Sequence, residues 1–371
     1  MIIITTQCFA PKIGGIESLM TGMAEAMAKN GEEVLVLADG KETKDDHKQY
    51  YTIKRFSGWK PFRRLRKANY LEKICKNKKV SAIYADSWKS IEYVDKKRKK
   101  ILVLAHGTEI PKQYWTKMLD VLRFKKNRIK KSYKNVFKII ANSSYTKDLM
   151  QASLKINPMD IQIIHPGIDV YDEFISDEDR RNVDDLIGDR APVITTLARI
   201  EERKGHKYVL NALSEIKNKF PKILYLIAGK GPYLEEIKKV TSKLKLDDNV
   251  RFLGWITEPE KSLILKNSDL FVMTPTEVGE SVEGFGMAYI DASFHGLASI
   301  GSNSGGIADA IVNNETGIVC DAGNQKMITE KILLLLENEQ LRNQLGENGK
   351  KRAKENYSWI KKVEEYLLAA N

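Results

Sequence analysis

The sequence predicts an α/β protein of two domains, each a doubly wound parallel sheet. Three observations predict it. The chain has 371 residues, more than one ordinary domain holds and close to what two need. Short β-branched runs alternate with segments of helical apolar spacing, which is the βαβ order of a parallel sheet. That alternation runs twice, with a polar, acidic stretch between the two runs. The expected layout is one domain over residues 1–175, a second over 188–356, and a final helix over 357–371 that packs back on the first. In open α/β sheets ligands sit at the carboxyl ends of the strands, so the cleft between two such domains is the default site.

The elements follow in order. MIIITTQ is a β-branched strand, CFAPKIGGIES a glycine loop, and SLMTGMAEAMAKNG a helix closed by Lys-Asn-Gly. EEVLVLAD, SAIYAD, KILVLAHG, FKIIANS and IQIIHPG are further strands. DVYDEFISDEDRRNVDDLIGDRAP reads as a linker or hinge. The alternation restarts with VITTLARI, KILYLIAGKG, VRFLGWI, DLFVMTP, SIGSNSGG and TGIVCDAG, separated by helical patterns. Two helices close the chain.

Composition narrows the class. With 42% hydrophobic and 30% charged residues the chain reads as soluble and globular. Cys8, Cys75 and Cys320 are odd in number and far apart, which argues against a disulfide framework or a zinc site and for a reducing cytoplasm. No signal peptide is expected at MIIITTQCFAP, and no run approaches the ~20 apolar residues of a spanning helix. Residues 1–170 carry 34 Lys+Arg against 17 Asp+Glu, net +17, while residues 171–371 carry 27 against 32, net −5. The basic half seeks phosphate: nucleic acid, an anionic membrane or an anionic substrate.

Several stretches carry chemistry. In PKIGGIES, two glycines ahead of a helix let the backbone approach a phosphate, although alone they equally make an ordinary turn. In LARIEERKGH, Arg199 ends a strand and Lys204 follows before Gly205 and a helix, which suits a diphosphate as well as a solvated loop. His106, ending an apolar strand in AHGTE, is on its own more often structural. The Asp-Glu-Asp run at 177–179 has no strand before it and reads as solvated, not metal-binding. SVEGFGMAYIDASFHG, 281–296, is the most informative. A helix starting near Gly286 turns the amides of Phe285, Gly286 and Met287 outward without intrahelical partners, and its dipole favours an anion there. Glu283 just ahead would repel a phosphate and suits sugar hydroxyls. Asp291, about two turns on and on a similar face, suits a second pair such as a ribose diol.

Together these residues resemble the retaining glycosyltransferases of family 4. GGIE at 14–17, HG at 106–107, ANSSYT at 141–146 and HPGID at 165–169 match in order. So do Arg199 with RKG at 203–205, AGKGP at 228–232, FLG at 252–254, EGFGMAYID at 283–291 and SNSGG at 302–306. PKIGGIES, HGTE and VEGFG look most like the lipid-directed mannosyltransferases that build phosphatidylinositol mannosides. The resemblance implies a GT-B fold, two Rossmann-like domains facing each other across a cleft, and a nucleotide-sugar donor. It implies that Arg199 and Lys204 hold the diphosphate with Gly15 beside it, and that His106 faces the donor sugar. It implies that Glu283 holds sugar hydroxyls, that Phe285, Gly286 and Met287 present amides to sugar and phosphate, and that Ile256 lies under the base. It also implies transfer with retention and no need of metal or cofactor. Two positions depart from the family pattern: Asp291 and Asp309 stand where glutamates are usual, which puts the ribose contact of Asp291 in question.

The acceptor half is read from its charge. KRFSGWKPFRRLRKANYLEKICKNKK at 54–79 mixes aromatics with cations, and RFKKNRIKKSYKNVFK at 123–138 is similar. Trp59, Arg63, Arg64, Arg66 and Lys67 are the expected contacts with an anionic membrane; a solvated basic face is the plainer alternative. The expected protein is a monomer or homodimer, peripheral on the cytoplasmic face of the cell membrane. It moves a hexose or hexuronic acid from a nucleotide sugar, with a UDP-sugar favoured, to diacylglycerol or phosphatidylinositol. GDP-mannose as donor, and lipopolysaccharide or a lipid-linked oligosaccharide as acceptor, are the alternatives. A nucleic-acid-binding protein would explain the charge but not the second-domain motifs, and a sugar-nucleotide epimerase sits poorly with EGFGMAYID.

Overall fold

The computed structural model describes residues 1–47, 49–97, 99–110, 124–168, 175–279 and 281–371. Of the stretches singled out above, residues 123 and 169–174 lie outside these. The chain divides into two compact units, Met1–Asp169 with Tyr357–Asn371, and Val170–Asn356.

The first unit holds β1 (Ile2–Thr6), β2 (Val34–Asp39), β3 (Thr52–Phe56), β4 (Ala82–Ala85), β5 (Ile101–Ala105), β6 (Lys138–Ala141) and β7 (Ile161–Ile163) in one parallel sheet, ordered β3-β2-β1-β4-β5-β6-β7. Successive side chains point to opposite faces and both faces are covered, which is why the central strands are buried and mostly apolar. Ile2 and Ile4 join Val34, Val36 and Tyr84 on one face, while Ile3 joins Leu35, Leu37 and Ile83 on the other. β3 is a strand the sequence does not announce. It is an edge strand in which only Phe56 is buried, so its pattern is polar. The terminal helix Trp359–Ala369 belongs to this unit. Trp359 fills the space a side chain would need at Gly22 and Gly167, and Tyr84 Oη donates to the Tyr366 carbonyl at 2.6 Å.

The second unit holds β8 (Val193–Leu197), β9 (Leu224–Ala228), β10 (Val250–Gly254), β11 (Leu270–Val272), β12 (Ser299–Ser302) and β13 (Gly317–Cys320), again parallel, ordered β10-β9-β8-β11-β12-β13. The acidic stretch read as a linker is corrected here: Asp177–Ile187 is a helix of this unit. Ser176 and Asp179 form a capping box, and the acids Asp177, Glu178 and Asp179 occupy the first turn, where the helix dipole favours them. Val183, Leu186 and Ile187 then pack on Val193, Leu224, Leu263 and Ile264. Three helices, not two, close the chain: Gln325–Glu337, Glu339–Asn356 and Trp359–Ala369.

Candidate active site

Each sheet reverses its strand order once, between β1 and β4 in the first unit and between β8 and β11 in the second. The carboxyl ends flanking such a reversal are where open α/β sheets bind ligands. Gly15 follows β1, Arg199 and Lys204 follow β8, and Glu283 follows β11, at these two places; His106 follows β5 and Ile256 the edge strand β10.

In the second unit the loop after β8 meets the loop after β11. Gly205 makes the approach possible. A side-chain carbon there would lie 2.2 Å from the Thr274 carbonyl oxygen, and its φ of +81° is one that L residues rarely adopt. The Thr276 amide donates to the Arg203 carbonyl at 2.7 Å. Charges of alternating sign follow one another across the contact. Arg199 Nη1 lies 3.1 Å from Glu201 Oε1, and Arg203 Nε lies 3.0 Å from Glu201 Oε2. Arg203 Nη1 lies 3.1 Å from Glu283 Oε2, and Lys204 Nζ donates to the same oxygen. Burial raises the Glu283 carboxyl pKa, but Lys204 and Arg203 outweigh it and hold it below the ordinary glutamate value. Lys204 is therefore brought to Glu283, not to Arg199, whose side chain is 66% exposed. Glu201 and Arg203 complete the network and were not singled out in sequence, although Arg203 opens the quoted RKG.

Past Glu283 the helix Met287–Phe294 begins on Gly286, which caps it at φ +96°. Phe285 and Gly286 are buried and Met287 is half-buried at the first helical position. Tyr289 anchors the turn by donating to the Met273 carbonyl. Asp291 is not an isolated acid: Lys261 holds its Oδ1 at 3.0 Å. Ile256 is half-buried against the cluster of Leu263 and Ile264. His206, next to Gly205, is 1% exposed with neither ring nitrogen hydrogen-bonded. Burial, with the Lys204 charge adding, pushes its pKa down to about 4.

In the first unit the switch point is organised by Asp86, which closes the SAIYAD strand. Its Oδ2 accepts from Thr6 Oγ1 at 3.0 Å and the Gln7 amide at 2.7 Å, and its Oδ1 from Ser90 Oγ at 2.5 Å. The Asp86 carbonyl takes His106 Nε2 at 2.8 Å, so Nε2 carries the proton. Glu109 Oε1 accepts the His106 amide at 2.8 Å, while its Oε2 is buried without a partner. His106 is thus held at its ring by the Asp86 backbone and at its amide by the Glu109 carboxylate. Gly15 is exposed and opens the helix Gly15–Lys29.

The residues expected at a membrane divide. In the helix Lys60–Asn77, Lys67 is 1% exposed: its Nζ lies 2.9 Å from Asp39 Oδ1 and donates to the Thr6 carbonyl at 2.8 Å. Arg63 pairs with the other Asp39 oxygen at 2.8 Å, and Arg64 with Glu92 at 3.2 Å, both largely buried. These three are corrected: the periodicity that buries Ala68 and Leu71 also turns Arg63, Arg64 and Lys67 inward. Trp59 (70% exposed), Phe62 (63%) and Leu65 (43%) form an outward apolar stripe beside exposed Arg66. Among the described residues no cluster of three His, Cys, Asp or Glu side chains is placed to hold a metal, and no helix is long and apolar enough to cross a membrane.

Two family models match the chain, Glycosyltransferase Family 4 over residues 13–171 and Glycosyl transferases group 1 over residues 177–352. A GDP-mannose-dependent alpha-(1-6)-phosphatidylinositol monomannoside mannosyltransferase of Mycolicibacterium smegmatis is 29% identical over 70% of this chain and 67% of its own length. A GDP-mannose-dependent monoacylated alpha-(1-6)-phosphatidylinositol monomannoside mannosyltransferase of Corynebacterium glutamicum is 23% identical over 96% of this chain and 94% of its own. The crystal structure of Anabaena HepE in complex with UDP matches with a TM-score of 0.79 at 17% identity, covering 98% of both chains, and shares the fold. With both sheets, both switch points and both family models in agreement, the chain belongs to family 4 of the glycosyltransferases, GT-B enzymes acting on nucleotide sugars.

Proposed function

We propose that this enzyme transfers a hexose from a nucleotide sugar to the polar headgroup of a membrane lipid, with retention and without metal. The observation that carries the lipid acceptor is the stripe of Trp59, Phe62 and Leu65 beside Arg66 in a half of net charge +17. Apolar side chains flanked by cations suit an anionic bilayer, and burial of one such side chain contributes roughly 1.5–3 kcal/mol. The mannosyltransferase relatives act on phosphatidylinositol mannosides, which supports the same acceptor class.

The chemistry follows from the charges. As the donor bond breaks, negative charge grows on the leaving diphosphate. Arg199, Arg203, Lys204 and the start of the helix at Met287 meet that charge where it develops, in positions fixed beforehand by Glu201 and Glu283. Glu283 Oε1, which has no partner among the described residues, takes a sugar hydroxyl. Asp86 is fully engaged in hydrogen bonds, which leaves no room for it as a nucleophile and favours attack by the acceptor hydroxyl on the face the diphosphate leaves.

The donor has two readings. A UDP-hexose is the one favoured in sequence; GDP-mannose is favoured by the donors of the relatives. Product mass spectrometry decides. The protein is incubated with vesicles of diacylglycerol and phosphatidylinositol, and UDP-glucose, UDP-glucuronate, UDP-galactose and GDP-mannose are supplied separately, with and without EDTA. A glycosylated lipid formed with one donor, EDTA or not, is expected. Nucleoside diphosphate release without lipid product would move the acceptor to a glycan.

A further inference from the structure

The loop between β1 and the helix Gly15–Lys29 carries the two glycines read as approaching a phosphate. Glycine backbone is conformationally loose, so a phosphate contact at Gly14 and Gly15 needs the chain ahead of them to be fixed. That chain is fixed at Ala10. The Ala10 amide donates to Thr21 Oγ1 at 3.2 Å, in the helix that follows. The Ala10 carbonyl accepts from Arg55 Nη2 at 2.6 Å, on the edge strand β3. Phe9, 1% exposed, stands edge-on to Tyr51 just ahead of the same strand, with ring centroids 6.2 Å apart.

Arg55 is itself locked. Its Nε donates to Asp46 Oδ2 at 2.6 Å and its Nη2 to Asp46 Oδ1 at 2.6 Å, two parallel bonds between one guanidinium and one carboxylate. Asp46 also accepts the Thr43 amide at 3.1 Å and the Thr43 hydroxyl at 2.9 Å. Both hydrogens of Nη2 are used, one on the carboxylate and one on the Ala10 carbonyl. The Arg55 and Asp46 side chains are 5% and 4% exposed. An ion pair this buried adds little to stability, because desolvation of both charges offsets their attraction, and two apolar side chains could serve the fold as well. An edge strand beside solvent could also keep its arginine in water. What neither arrangement could do is hold the Ala10 carbonyl.

We propose that Arg55, locked by Asp46, is a positioning residue for the transfer reaction: by gripping the Ala10 carbonyl it sets the place of the Gly14 and Gly15 amides for the donor's diphosphate. This rests on the reading of the chain as a nucleotide-sugar enzyme. Arg55 acts through the loop and not on the reacting atoms.

The test is the double substitution R55M/D46L in the full chain. It removes both charges together and leaves no unpaired charge buried, so urea unfolding should give a midpoint close to the wild type's. Nucleoside diphosphate release is followed on vesicles of diacylglycerol and phosphatidylinositol, with UDP-glucose, UDP-glucuronate, UDP-galactose and GDP-mannose in turn. With the donor that the wild type turns over, kcat should fall about a hundredfold and KM change less, because displaced amides no longer meet the charge that grows in the transition state. Hydrogen exchange should quicken about tenfold at the amides of residues 8–15, with the rest of the chain unchanged. R55K, which keeps the charge but not the fork, should lose about tenfold in kcat. A stable double variant with kcat within about twofold of the wild type overturns the inference, as does unchanged exchange in the loop. Were the double variant to lose its fold by circular dichroism, R55K decides, and a wild-type kcat in it overturns the inference. No release from any donor by the wild type would sink the nucleotide-sugar reading and this inference with it. Release by the wild type that the variants match sinks this inference only.

Discussion

The two switch points are built from different electrostatic materials. At β8 and β11 five charged side chains alternate in sign, from Arg199 through Glu201, Arg203 and Glu283 to Lys204. At β1 and β4 one buried carboxylate, Asp86, ties down backbone amides and hydroxyls, and His106 is held by the Asp86 carbonyl. The first unit is by far the more basic, yet its cations are spent elsewhere. Lys67, Arg63 and Arg64 are consumed in buried pairs, and others such as Arg66 lie on the surface. Net charge therefore does not locate an anion site. What locates it is where acids fix cations in place, because a fixed charge needs no reorganisation when the ligand's charge appears.

The contrast can be broken first at Glu283. Glu283→Gln removes the anchor of Lys204 and Arg203 and should cut turnover about a hundredfold to a thousandfold with folding intact; near-normal kcat in steady-state assays would end its assignment. The next effect is one of stability. Lys67→Met leaves Asp39 with a single cation partner and should cost about 3 kcal/mol in urea unfolding, against under ~0.5 kcal/mol for Arg66→Met on the exposed face. If the two cost the same, the inward and outward faces of that helix are not distinct.

A third effect is set by pH. The ordinary histidine titrates near 6.5, whereas buried His206 titrates near 4. Between those values the unfolded chain alone takes up the proton, so stability falls as the pH drops from about 6.5 to 4, by about 3 kcal/mol from this group. His206→Leu should flatten that fall, measured as unfolding midpoints across the range, and add stability at neutral pH by removing two unpartnered nitrogens. Smallest is the surface effect. Trp59→Ala or Phe62→Ala should weaken sedimentation with anionic vesicles about tenfold while leaving thermal stability unchanged, and Arg66→Gln about fivefold. Unchanged partitioning in all three would remove the membrane face.

Much of the fold was legible because its signals are local. Buried parallel strands are apolar runs, and all six strands of the second unit stand out in sequence. β3 did not, since an edge strand needs no apolar face. The helix Asp177–Ile187 was hidden because its acids look solvated until Ser176 and Asp179 are seen to cap it. Among the site residues, Arg199, Lys204 and Glu283 could be marked from strand ends and motifs. Lys261, Asp86 and Glu109 could not, since each acquires its role from a partner distant in sequence or from burial.

The sequence by itself determined the two parallel sheets, the order of the site motifs and the charge of each half, all properties of consecutive residues. Only the tertiary structure decided which charges meet. It brought Lys204 to Glu283 across 79 residues, Lys67 to Asp39 across 28, and Lys261 to Asp291 across 30. The physical reason is that a charge is expensive to bury alone and tolerable when paired. Composition reveals how many cations a chain carries, while packing determines which of them must find an acid and which remain for a ligand.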